Sequence, residues 1–170
     1  IENAAWRAEV DARGRVTLAS KAHGLRIEDA LVLRSEGDRG DEYNFDPVAG
    51  GVVVDRPERV RVRILRCGAA EVGLRIEATY RVPCAVAPSR DARTKRCVAL
   101  PIALELRLVA GLDRLDVAAT IDNRARDHRL RLHCRAPFAP QRFEVESAFE
   151  IAERPIAPAP DSFGGPRPAE

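Results

Sequence analysis

The chain has no methionine, only two lysines (Lys21 and Lys95), one tryptophan and two tyrosines among its 170 residues. With Ile1 in first place and no methionine at all, the chain reads as a piece of a longer polypeptide. No run of about 18 apolar residues exists, the length a membrane helix needs. The opening IENAAWRAEV also lacks a positive stretch followed by an apolar one, so neither a membrane span nor a signal peptide is expected, and a soluble protein is. Excess charge of one sign is missing too: Lys+Arg 28 against Asp+Glu 26 leaves +2. The 26 arginines alternate with apolar residues instead of gathering in a basic stripe, which argues against a nucleic-acid partner. Cysteine is sparse and unpaired in pattern. Cys67, Cys84, Cys97 and Cys134 form no CxxC motif, so no zinc site is expected from them. Cys84 and Cys97 could close a loop, but a chain long enough for an apolar core has no need of such staples, and reduced thiols in a cytoplasmic protein are the expectation.

A sustained helical period is absent as well, and strict alternation takes its place. Val60, Val62 and Ile64 fall on one side of a strand whose other side carries Arg59, Arg61 and Arg63. The same period recurs from Val72 to Val82, Val98 to Leu108, Leu115 to Ile121, Leu130 to Cys134 and Phe143 to Ile151, with Gly68, Pro83, Gly111 and Asn123 at boundaries. Ala5 to Val10, Arg15 to Ser20 and Leu25 to Leu33 read as strands, the first two joined through an Asp11–Gly14 turn. Roughly ten strands without interleaved helices predict an all-β fold, an antiparallel β-sandwich, because two stacked sheets hide half-apolar strands. Pro101 places its strand at an edge there, or at a bulge. Residues 83–96 read as a polar excursion. The domain is expected over residues 1–154, followed by a Pro/Gly-rich tail or strap over 155–170.

The stretch from Glu36 to Pro47, EGDRGDEYNFDP, holds the densest chemistry. Gly37, Gly40 and Pro47 keep it out of regular structure, and Tyr43 offers a ring face with a hydroxyl, which suits a sugar. Glu36, Asp38, Asp41, Glu42 and Asp46 leave three readings open: a solvated acidic turn, a sugar-facing wall or a cation site. Nothing in the sequence selects two of them as a hydrolytic pair. His23, His128 and His133 have no partner at catalytic spacing. His128 lies in a turn where Asp122 and Asn123 can bond the backbone and Asp127 can orient the imidazole. Trp6 is expected in the core.

Four motifs in order resemble the carboxy-terminal β-domain of family 38 glycoside hydrolases, the α-mannosidases and mannosylglycerate hydrolases. They are the Ile1-Glu2-Asn3 opening with its Gly14 turn, GDEYNFDP (Gly40 to Pro47), NRARDHRLRLH (Asn123 to His133) and FEIAERPIAP (Phe149 to Pro158). The resemblance implies a galactose mutarotase-like supersandwich packed on an amino-terminal α/β-barrel of the same polypeptide. In the family that barrel carries the zinc ion, the aspartate nucleophile and the general acid, so no catalytic or metal residue and no cofactor is expected within this chain. It also implies substrate contacts by Tyr43, with Phe45 packing inward beneath it, and by Arg154. A mannoside is the implied ligand, and the chain alone is expected to be inactive. A free-standing carbohydrate-binding or adhesion sandwich is the alternative, and an interaction module that binds a partner or a copy of itself is a third.

Overall fold

The computed structural model describes residues 1–41 and 43–156. Glu42 and most of the expected tail lie outside the described residues. Eleven strands and no helix occur among them: β1 (Trp6–Val10), β2 (Val16–Ser20), β3 (Arg26–Ile27), β4 (Leu31–Gly37), β5 (Arg59–Cys67), β6 (Glu71–Pro83), β7 (Cys97–Val109), β8 (Asp116–Ile121), β9 (His128–Cys134), β10 (Arg142–Glu146) and β11 (Ile151–Pro155). All pairings between them are antiparallel. The all-β antiparallel expectation therefore holds. Ile1–Arg135 form one compact unit and a second begins at Ala136.

In the first unit a four-stranded sheet, β5-β6-β7-β8, is the largest element. Its alternation puts Leu74, Ile76, Tyr80 and Val82 of β6 beside Leu100, Ile102, Leu106 and Leu108 of β7 on one buried face. Two smaller sheets cover that face. Val16 and Leu18 of the β1-β2-β3 sheet pack on Leu74, Ile76 and Leu106. Leu33 of β4 and Leu130 and Leu132 of β9, paired strands, pack on Tyr80, Val82, Leu100 and Ile102. Burying one such side chain contributes about 1.5–3 kcal/mol. The opposite face carries charge: Arg63 pairs with Glu77 at 3.0 Å, Arg66 with Glu71 at 2.8 Å, and Arg107 with Asp116 at 2.9 Å.

The turn between β1 and β2 shows how local sequence sets position. Asp11 Oδ1 accepts the N–H groups of Arg13 (2.8 Å) and Arg15 (2.9 Å), which holds its carboxyl below the usual carboxylate range. Gly14 adopts φ +76° and lies against Val60; a Cβ there would meet Val60 Cγ1 at 3.1 Å.

Three expectations are corrected. The strand expected from Leu25 to Leu33 is two strands, because Asp29 takes a left-handed φ of 49° between β3 and β4. The alternating run from Phe143 to Ile151 is a hairpin of the second unit, β10 and β11, closed by Ser147 N–H donating to Glu150 O (2.8 Å). Pro101 does fall at a local edge, as expected: β7 is an interior strand, but its ladder to β8 begins only at Ile102, so the missing N–H lies at a ladder end. Trp6, expected in the core, is instead only half-buried, because its indole N–H reaches out to Asp113 Oδ1 at 2.6 Å.

Candidate functional site

The acidic loop leaves β4 at Gly37 and closes on itself. Arg39 N–H donates to Asp46 O (2.7 Å), and an isolated bridge joins Asp38 to Pro47. The carboxylates are the loop's own fasteners. Asp38 Oδ1 accepts from Gly40 N (2.9 Å) and Asp46 N (3.0 Å), and Asp41 Oδ1 accepts from Tyr43 N (2.9 Å) and Asn44 N (2.8 Å). Those two N–H groups hold the Asp41 carboxyl below its ordinary range. Asp46 takes the Arg39 guanidinium at 2.8 Å, and Glu36, half-buried on β4, pairs with Arg131 of β9. Among the described residues no three His, Cys, Asp or Glu side chains gather as a metal set.

Gly40 makes this closure possible. A Cβ at that position would stand 1.6 Å from the Asn44 carbonyl oxygen, so the backbone folds where only glycine fits. The product is a short, internally bonded loop with Tyr43 at its tip, 85% exposed. Phe45 is half-buried and carries the Arg129 guanidinium over its ring at 3.8 Å, a cation–π contact that fixes the loop to β9.

Behind the loop lies a polar network that sequence reasoning missed in part. Arg93, from the excursion between β6 and β7, is 8% exposed and donates to Ser35 O (3.2 Å), Ser35 Oγ (3.2 Å) and Val52 O (3.0 Å). Ser35 Oγ lies 3.0 Å from His128 Nδ1, and His128 Nε2 lies 3.0 Å from Asn123 Oδ1. Asn123 Oδ1 can only accept, so Nε2 carries the proton and Nδ1 accepts from the Ser35 hydroxyl. Asp127 does not orient the ring; its Oδ2 accepts from Val86 N at 3.2 Å while its backbone oxygen receives Asp38 N–H at 3.0 Å. Burial first, then the Arg93 charge, pushes the His128 pKa down. No local signal marks Arg93 as buried, since its neighbours read as a polar loop.

No family model matches the chain. A Halalkalibacterium halodurans protein whose name assigns it, provisionally, as a mannosylglycerate hydrolase is 28% identical over 175 aligned positions, which cover 94% of this chain and 20% of that protein. The structure of an α-mannosidase from Enterococcus faecalis V583 superposes with a TM-score of 0.82 at 20% identity, over 92% of this chain and 19% of that one. A glycosyl hydrolase family 38 protein from Enterococcus faecalis gives the same TM-score and identity, over 92% of this chain and 20% of its own. The chain resembles the carboxy-terminal β-domain of family 38 glycoside hydrolases. It spans about a fifth of the length of the relatives it matches.

Within this family 38-like β-domain the two expected contact residues fall in separate units. Tyr43 belongs to the first, on the fastened loop after β4. Arg154 belongs to the second, exposed on β11 opposite Phe143 of β10. All four cysteines are free. Among the described residues no helix is long and apolar enough to cross a membrane.

Proposed function

We propose that the chain is the non-catalytic carboxy-terminal β-domain of an α-mannosidase-like glycoside hydrolase. It lends a sugar-facing loop to an active site built on an amino-terminal barrel of the same polypeptide. The observation that carries this reading is the exposed Tyr43 on a loop whose backbone Asp38 and Asp41 fasten. A pre-ordered aromatic hydroxyl loses little entropy on meeting a ligand, and ring and hydroxyl together match the apolar face and polar edge of a pyranose. Arg154 is the proposed second contact, donating to sugar hydroxyls. Asp38 and Asp41 are engaged in the loop's own bonds, and we assign hydrolysis and the zinc ion to the barrel. A mannoside is the substrate class we assign. The four free thiols suit a reducing compartment, and we place the enzyme in the cytoplasm.

The test uses the full-length protein and an aryl α-mannoside. Tyr43→Ala should lower kcat/KM by about tenfold or more, the cost of one ligand hydrogen bond with its ring contact. Its unfolding free energy should stay within about 0.5 kcal/mol of the parent, because an exposed side chain holds nothing together. Arg154→Ala should act in the same direction. Unchanged kinetics in both variants would sink the assignment of the sugar-facing loop, and hydrolysis by residues 1–170 alone would sink the non-catalytic role.

A further inference from the structure

The turn between β1 and β2, the start of β4 and the segment 55–58 before β5 enclose a cleft of about 660 Å³ in the first unit. Its volume falls within the range of small-molecule sites, roughly 300–1,000 Å³. The far end of β4 leads to the Tyr43 loop, and from Leu33, the last β4 residue lining the cleft, to Gly37 the strand spans about 13 Å at about 3.3 Å per residue. The cleft and the loop are therefore different sites.

The lining has an unusual charge arrangement. Arg13, Arg56 and Arg135 stand around the cleft with Asp55 and Glu58, and among the described residues none of the five forms an ion pair. Arg63, Arg66, Arg75 and Arg107 on the four-stranded sheet are all paired, so the chain does bring opposite charges together where the backbone allows it. Around the cleft only Arg15 and Asp29 pair, at 3.8 Å, and the other five sit on fixed backbone. The Asp11 carboxylate and the Gly14–Val60 contact fix the turn that carries Arg13, Glu58 N–H donates to Thr79 O at 2.8 Å, and Arg135 N–H donates to Ala30 O at 3.0 Å. Donors and acceptors are thus both left free on a rigid frame.

Tyr80 contributes to the lining. Its ring belongs to the core with Leu33, Val82 and Leu100, and its hydroxyl makes no hydrogen bond among the described residues. Burial, with the Asp55 charge second, pushes its pKa up to about 12, so the phenol stays a proton donor. A guanidinium can only donate and a carboxylate can only accept, whereas each hydroxyl of a sugar does both. A polyol satisfies the two sets together without bringing its own charge.

We propose that this cleft is a second carbohydrate site, one that takes an uncharged saccharide through Arg13, Arg56, Arg135, Asp55, Glu58 and the Tyr80 hydroxyl. It owes nothing to the Tyr43 loop. Hydrogen-exchange mass spectrometry of the full-length protein with neutral manno- and gluco-oligosaccharides at millimolar concentration tests it. The expected result is protection of peptides spanning 11–15 and 54–60, kept in Tyr43→Ala and weakened about tenfold in apparent affinity in Asp55→Asn with Arg135→Ala. Such a loss equals one charge-assisted hydrogen bond. Both substituted residues are exposed, so the fold should survive; Tyr80→Phe, which keeps the ring, gives a second reading of the same site. The proposal is overturned if no neutral saccharide protects these peptides, if protection survives both the double variant and Tyr80→Phe, or if only anions such as phosphate protect them.

Discussion

At the scale of single residues, two positions control more than their size suggests. Gly40 is the point where the loop backbone meets Asn44, and Gly40→Ala puts a methyl group inside the carbonyl oxygen's radius. The loop must then open, losing the bonds Asp38 makes to Gly40 and Asp46. Faster amide exchange across 39–46 is expected, with global stability changed by no more than about 1 kcal/mol because the core is untouched; native exchange rates in this variant would contradict the fastened-loop geometry. His128 gives a pH dependence. The unfolded ring titrates near 6.5, and the folded pKa is lower, since burial and Arg93 oppose the charged form while Asp127 only partly offsets them. The unfolded state therefore takes up a proton that the folded state refuses, so stability is complete above about pH 6.5 and falls as pH drops toward the folded value. His133, lowered chiefly by burial, adds in the same direction. Denaturant titrations from pH 7.5 to 5 should show this decline, and His128→Gln should flatten it.

At the scale of elements, the excursion between β6 and β7 matters for what it inserts. It is closed by Cys84 N–H to Arg96 O (2.9 Å) and Thr94 N–H to Ala85 O (2.9 Å), and it delivers Arg93 against β4. Arg93→Ala removes donors from two backbone carbonyls and one hydroxyl in a nearly closed space. A loss of about 2–4 kcal/mol is expected by chemical denaturation, set by the unsatisfied acceptors and the cavity. A loss below about 0.5 kcal/mol would mean that water reaches those groups freely. Strand boundaries were largely readable beforehand, since Gly68, Pro83 and Asn123 flank strand ends in the chain as in the sequence. The path of Arg93 was not, because a charged residue in a polar loop looks the same whether it points to water or into the protein.

At the scale of the whole molecule, the two edge strands of the four-stranded sheet stay partly bare. On β5, Val62 is 38% and Ile64 60% exposed; on β8, Ile121 is 44% exposed. These residues continue the buried face of β6 and β7, as the register Val62↔Ile76 and Ile102↔Ile121 shows, but the covering sheets reach only the middle. Exposed apolar edges favour pairing with other chains. Replacing Ile64 and Ile121 together by Lys should raise the concentration at which residues 1–170 stay monomeric in light scattering, at a stability cost near 0.5 kcal/mol per site. Unchanged association would show that these edges are not the sticky surface.

Alternation with a period of two, broken by glycine and proline, was enough to determine an all-β antiparallel chain, since side chains on a strand can face only two ways and one of them must be dry. The loop from Gly40 to Pro47 was legible only as irregular, from Gly40 and Pro47, because solvated and backbone-bonded acids look the same in a sequence. Tertiary structure alone decided that Arg93 and Ser35 would meet His128, and that five charged residues from three separate segments would ring one cleft unpaired. Such arrangements depend on which strands become neighbours, and neighbours far apart in sequence leave no periodic trace in it.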